Sequence, residues 1–377
     1  MKQLAQMSRR ARWAVPAGTV IVVGGVLAGS MISVAQAAPS LPAKTPAQLL
    51  AGLATRPQTP PLTGTVVETS SLGLPSLPGT SDPTSITSLL TGSHTIRVWY
   101  ADPQHFRVSV PQSMSESDII RNGSNGWLWE STRNTVTHVA IPADTGTKSA
   151  KAAPSEPPLT PQQAAQQILA KVGPTTTVGV NSNVSVAGEA AYQLVLAPKS
   201  TSSLIGQVRI AIDGSRDVPL RVQVFAKGAK NPALQIGFTS VSFVKPAAAN
   251  FAFTPPAGAK VQQETLGDHP DQAKKGGTGD GSVIGQGWLA VADMPSSVLT
   301  DATPAASQAP SGSGLDGDTG QVVNALLKSA TPVSGSWGSG RLIKTSLISL
   351  LITDNGRVLA GAVTPQVLYS AAAQAAK

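Results

Sequence analysis

The sequence predicts a mainly β fold of the α+β kind: a large antiparallel sheet with two or three helices on one face, then a smaller α+β extension. Three observations lead there. Short strand-like runs recur through most of the chain, separated by polar turns such as RNGSNG (Arg121–Gly126), IDGSRDVP (Ile212–Pro219) and FAKGAKNP (Phe225–Pro232). The 36 glycines and 30 prolines, beside few helix signals, favour strands, turns and linkers. Apolar residues make up 41% of the 377 and charged residues only 13%, which is enough to bury a core and too little charge for a solvated, disordered chain.

In chain order, Lys2, Arg9, Arg10 and Arg12 precede an uncharged run, Ala14–Ala35, around VIVVGGVLAGSMISVA. That is the layout of an export signal, and Ala35-Gln36-Ala37 fits an A-x-A cleavage site. The run also approaches the roughly 20 residues that span a bilayer, so an uncleaved anchor in the cytoplasmic membrane is the alternative. Either way the basic residues stay cytoplasmic and the bulk of the chain is extracytoplasmic, in the cell envelope or secreted. The chain has no cysteine, hence no disulfide and no lipid-bearing cysteine.

TPAQLLAGLA (Thr45–Ala54) reads as a short helix, with Thr45 as N-cap and Pro46 at the first helical position. Strand-like runs follow at Thr63–Thr69, His94–Tyr100, His105–Val110, Ser117–Asn122, Gly126–Glu130 and Thr135–Ile141. Others lie at Val184–Val186, Ala191–Pro198, Gly206–Ile212, Pro219–Ala226, Ala233–Val244 and Phe251–Phe253. One helix interrupts them, LTPQQAAQQILAKVG (Leu159–Gly173), with Ala164, Ile168, Leu169 and Val172 at helical spacing.

From about Gly267 the composition turns to Gly, Asp, Ser, Ala and Pro, the mark of linkers and loops. Within and after this stretch lie GQGWLAVADM (Gly285–Met294), a helical TGQVVNALLKSA (Thr319–Ala330) and a hairpin, Arg341–Val363, whose Asn355-Gly356 pair suits a type I′ turn. A last helix, TPQVLYSAAAQAAK, covers Thr364–Lys377. The expected division is an export or anchor segment over 1–37, a main domain over 38–265, a linker over 266–320 and a hairpin and helix extension over 321–377. Whether the region from Gly281 adds strands to the main sheet or stands apart is open at this stage.

The formal charge of +8 looks like a nucleic-acid signature until it is located: half of it stands before residue 38 and the remainder is dispersed, so no nucleic-acid partner is expected. His94, His105, His138 and His269 have no helical i, i+4 spacing for a metal. No G-x-S-x-G elbow occurs. Gly312–Gly317 matches G-x-G-x-x-G but lies in low-complexity sequence with no strand before it. Asp280, Asp316 and Asp318 lack the terminal Glu of a calcium loop, and Glu68, Glu116, Glu130, Glu156 and Glu189 are isolated from one another. The expectation is a protein that is not an enzyme and carries no cofactor or metal.

The aromatics fall mainly on the strands. They read as core, or collectively as the lining of an apolar hollow; Trp99, Phe106, Trp127, Trp129, Phe225 and Phe238 are the cavity candidates, with Ile168 and Leu169 on the helix that would cover it.

Several segments resemble the lipoprotein-carrier family typified by LolA, whose fold is shared by LolB and by the sensor domain of RseB-like sigma-factor regulators. WYADPQHFRV (Trp99–Val108) resembles its strand, proline-aromatic turn and next strand. RNGSNGWLWESTRNTVTHV (Arg121–Val139) resembles the following hairpin, and FAFTPPAGAKV (Phe251–Val261) the end of the carrier domain. The resemblance spans about Thr45 to Val261. It implies a half-open barrel lidded by helices, a cavity for acyl chains of lipids or lipoproteins, and a monomer. An RseB-like sensor contacting a membrane-protein partner is the alternative. In LolA an arginine directly before the turn proline hydrogen-bonds the lid; here Asp102 precedes Pro103, and the short carriers lack the tail after Gly267.

Overall fold

Alternating side chains and tight polar turns build two successive meanders, and these meet in a single sheet. The computed structural model describes residues 41–55, 59–73, 91–112, 114–141, 173–265, 281–296 and 328–375. The first meander runs through β1 (Leu62–Ser71), β2 (Thr91–Asp102), β3 (His105–Pro111), β4 (Glu116–Asn122), β5 (Asn125–Glu130) and β6 (Thr135–Ala140). The second runs through β7 (Thr176–Val186), β8 (Glu189–Pro198), β9 (Ile205–Asp213), β10 (Pro219–Ala226) and β11 (Leu234–Ser242). The first strand of one pairs antiparallel with the last of the other, β1 with β11. A further strand, β12 (Lys260–Thr265), lies parallel to β6. The resulting order, β12-β6-β5-β4-β3-β2-β1-β11-β10-β9-β8-β7, leaves β7 and β12 as edges, so the sheet is open and mixed rather than wholly antiparallel.

Helix α1 (Pro46–Thr55) starts at the expected cap. The Gln48 N–H donates to Thr45 Oγ1 at 3.2 Å and the Thr45 N–H to Gln48 Oε1 at 2.8 Å, a reciprocal capping box. Its Leu49 is fully buried, and nearby the Tyr192 hydroxyl donates to the Pro42 carbonyl at 2.7 Å. The expected helix Leu159–Gly173, with Ile168 and Leu169, lies outside the described residues except for Gly173, as does most of Thr319–Ala330.

Two local expectations change. Phe251–Phe253 is not a strand: Ala248–Phe251 forms a 3-10 turn that packs on β3 and β4 with Phe251 buried, and the free edge of β6 is taken by β12 instead. Asn355-Gly356 is not a type I′ turn, because only Gly356 has positive φ, at 85°. The Gly356 N–H donates to the Thr353 carbonyl at 3.1 Å, giving a three-residue loop that ends in a left-handed glycine. The paired positive φ of a type I′ turn occurs between β7 and β8, at Ala187 (53°) and Gly188 (86°).

The region after Gly281 forms its own antiparallel sheet. Its strands are β13 (Ser282–Ile284), β14 (Val291–Pro295), β15 (Thr331–Gly335), β16 (Gly338–Lys344), β17 (Ser349–Thr353) and β18 (Arg357–Gly361), in the order β13-β14-β18-β17-β16-β15. Two of these strands arise inside the stretch read as linker. Helix α2 (Pro365–Ala375) buries Leu368, Ala371 and Ala372 against Val291, Leu351 and Leu359, and Tyr369 stacks on Trp337 at 5.5 Å. The small sheet is fastened to the large one by the bridge Ser203↔Val363, by the cluster Leu72, Ala233 and Leu347, and by the Ser346 N–H bonded to the Leu72 carbonyl at 2.9 Å. Among the described residues no helix is long and apolar enough to cross a membrane; Ala14–Ala35 lies outside them.

Candidate functional site

Residues directly opposite in paired strands share a sheet face, so the registers of β2 to β5 sort the candidates. Val98, Val108, Ile119 and Leu128 stand opposite one another in turn across β2, β3, β4 and β5. They make an apolar row four strands wide, with Ile119 52% and Leu128 39% exposed. Phe106, two positions from Val108 and opposite Tyr100 and Arg121, belongs to the same face.

Trp99, Arg107, Ile120 and Trp127 form the neighbouring row, on the other face. Trp129, opposite Asp118, joins them. That face is closed over β3 to β6 by the segment carrying Phe251 and Phe253. The Phe253 ring lies 5.6 Å from Trp127 and 6.4 Å from Trp129, Trp127 stacks on His138 at 4.0 Å, and Ile120 and Val136 below are fully buried. Phe225 is buried beneath the Arg209 guanidinium, 4.4 Å from its ring. Phe238 packs on Gly64, where any added methyl group would meet its ring, and against the cluster of Ala191, Ala211 and Leu220. The structure thus brings Trp99, Trp127 and Trp129 together on one face and sets Phe106 on the other.

Charged groups are mostly satisfied locally. Arg107 bonds the buried Asp118, whose carboxyl burial pushes above its ordinary range while the Ser109 hydroxyl and Arg107 pull it down. Glu68, opposite His94 in the register, accepts from that ring at 2.9 Å, buried beside the apolar residues of its strand. Asp102 accepts from the Gln104 N–H at 2.8 Å and the His105 ring at 2.9 Å. It therefore caps its own turn and does the local work of an Asx turn. Among the described residues no three of His, Asp or Glu gather into a metal-holding set.

A separate groove of about 290 Å³ opens where β2, β1 and β11 meet, lined by Thr63–Thr65, Arg97–Trp99 and Ser240–Ser242. Of these, the sequence pointed to Trp99 as a cavity candidate and to Arg97 only as an arginine near the Asp102-Pro103 turn. The Thr63, Thr65 alternation in β1 was a visible signal, but the serines arrive from a strand far along the chain.

No protein-family model matches the chain, and no curated protein does. Solved structures similar to it include the Pseudomonas aeruginosa MucA/MucB complex, at 13% identity, covering 87% of this chain and 96% of that one with a TM-score of 0.41. A LolA superfamily protein from Nitrosomonas europaea is 12% identical over 56% of this chain and 99% of its own, with a TM-score of 0.21. A DUF1329 family protein from Desulfovibrio piger is 9% identical over 56% and 98%, with a TM-score of 0.22.

Proposed function

We propose that the chain is an exported, extracytoplasmic binding protein that shelters acyl chains of a lipid or lipoprotein on the apolar face of its larger sheet. The observation that carries this reading is the Val98, Val108, Ile119, Leu128 row, with Phe106 beside it and Ile119 and Leu128 exposed. A contiguous apolar strip left to water is a binding surface in search of an occupant. Each CH₂ buried there gains about 0.8 kcal/mol, so one long acyl chain gains several kcal/mol without any polar contact. Release then needs a second conformation, or a partner that favours it. The basic segment and uncharged run before residue 38 support export. The second reading, an RseB-like sensor acting through protein contacts, draws on the smaller sheet, a second packed unit that acyl burial does not require.

The test is native mass spectrometry of residues 38–377 purified from a homologous host, with lipid extraction. Co-purifying acyl lipid, lost in an Ile119→Asp, Leu128→Asp double variant that keeps its circular dichroism, supports the reading. A folded, empty protein that also takes up no fluorescent fatty acid overturns it in favour of the protein-contact module.

A further inference from the structure

We infer that the groove between β2, β1 and β11 is a binding site for a phosphate group, separate from the acyl-binding face. Its walls are two rows of directly opposed side chains: Trp99, Thr63 and Ser242, then Arg97, Thr65 and Ser240. Four hydroxyls, one guanidinium and one indole therefore line the same groove. Hydroxyls and a guanidinium are donors for an oxyanion, and the planar arginine fork matches two oxygens of a tetrahedral phosphate. Among the described residues no carboxylate pairs with Arg97, whereas Arg107 on the next strand is neutralised by Asp118.

The same face continues this excess of positive charge. Arg221 lies opposite Gly237, which in turn lies opposite Val67, two positions along β1 from Thr65. Arg209 follows on β9, opposite Gln223. No described carboxylate pairs with either arginine. Burial, and then the charge of Arg209, hold the Arg221 guanidinium below its ordinary basicity. The groove's hydroxyl rows stand on the face opposite Val98 and Val108.

Two sources present the same chemistry, free phosphate and an anionic phospholipid headgroup. The mature chain, residues 38–377, is titrated calorimetrically with inorganic phosphate, and its sedimentation is followed with vesicles of phosphatidylglycerol and, in parallel, phosphatidylcholine. Binding of phosphate that Arg97→Gln weakens at least tenfold, Thr65→Val weakens severalfold and Arg97→Lys only partly restores supports a soluble phosphate ligand. Capture by phosphatidylglycerol with the same mutational pattern, and none by phosphatidylcholine, supports the headgroup. Binding that all three variants share equally with the wild type, or no binding to either probe, overturns the site. Phosphate titration and acyl-lipid co-purification are read on the same wild-type protein, so failure of the acyl reading and failure of this site are told apart.

Discussion

Trp288 donates its indole N–H to the Thr176 hydroxyl at 2.6 Å, fastening the smaller sheet to β7 at the edge of the larger one. An uncovered edge strand offers its backbone to other chains, so the contact also shields a vulnerable boundary. Trp288→Phe keeps the ring and removes the donor, leaving the buried Thr176 hydroxyl with only Thr175 at 3.4 Å. The expected cost is about 1 kcal/mol in chemical denaturation, with faster amide exchange confined to residues 282–295. An unchanged exchange pattern would show that the bond does not hold the two sheets together.

Arg357 grips Asp293 through two guanidinium nitrogens, one of them Nε at 2.8 Å, and Asp293 is 1% exposed. The carboxylate's hydrogen bonds raise the arginine's basicity above its ordinary value. Arg357→Met strands a buried acceptor and is expected to cost about 2 to 3 kcal/mol. The double change Arg357→Met, Asp293→Leu recovers much of that loss, since removing both partners is milder than removing one. Urea unfolding of the two variants side by side measures the difference.

At Gly64 a Cβ would lie 2.6 Å from the Ser240 carbonyl oxygen and 2.7 Å from the Phe238 ring. The backbone carbonyl cannot yield without breaking the β1 to β11 ladder. Gly64→Ala is therefore expected to destabilise by about 1 to 3 kcal/mol, the range for overpacking, although alanine is ordinarily harmless in a strand. Phe238→Ala in the same chain relieves one of the two clashes, and a thermal melt of the pair reads the partial rescue.

Burial works to raise Asp102, but the His105 ring and the Gln104 N–H outweigh it and hold the carboxyl below its ordinary value of 3.8. A lowered acid stabilises the fold above its unfolded value and loses that contribution as pH falls through the folded one. The wild type should exceed Asp102→Asn in stability by a constant, small margin above pH 5, and the gap should close below pH 4. Equilibrium denaturation across that range checks it; a gap that widens on acidification would reverse the assignment.

The strands were legible because their cause is local: short runs of strand-favouring residues such as Thr63–Thr69 or Ala191–Pro198, and glycine or asparagine turns between them. Their partners were not. Nothing within Leu62–Ser71 names Leu234–Ser242 as its neighbour, nor marks Lys260–Thr265 as a parallel edge strand. The aromatic set was readable as strand residues, but assigning Trp99 and Phe106 to opposite faces needs the register, which a one-residue slip inverts. Phe251 alternates like a strand and is a turn, because burial against β3 and β4 overrides local pattern. Arg97 and Arg107 stood out in the sequence only as arginines near the Asp102-Pro103 turn; the hydroxyls beside Arg97 come from two other strands and had no local signal.

The marriage of β1 to β11 also sets a clock on folding. Each meander can form from neighbours in sequence, yet the seam between them waits until residues 234–242 have been delivered. Closing so long a loop is slow compared with making a hairpin, and both seam edges stay raw until it happens. A nascent chain of this design keeps its two meanders apart until most of its length has been made, and completes its larger sheet only late.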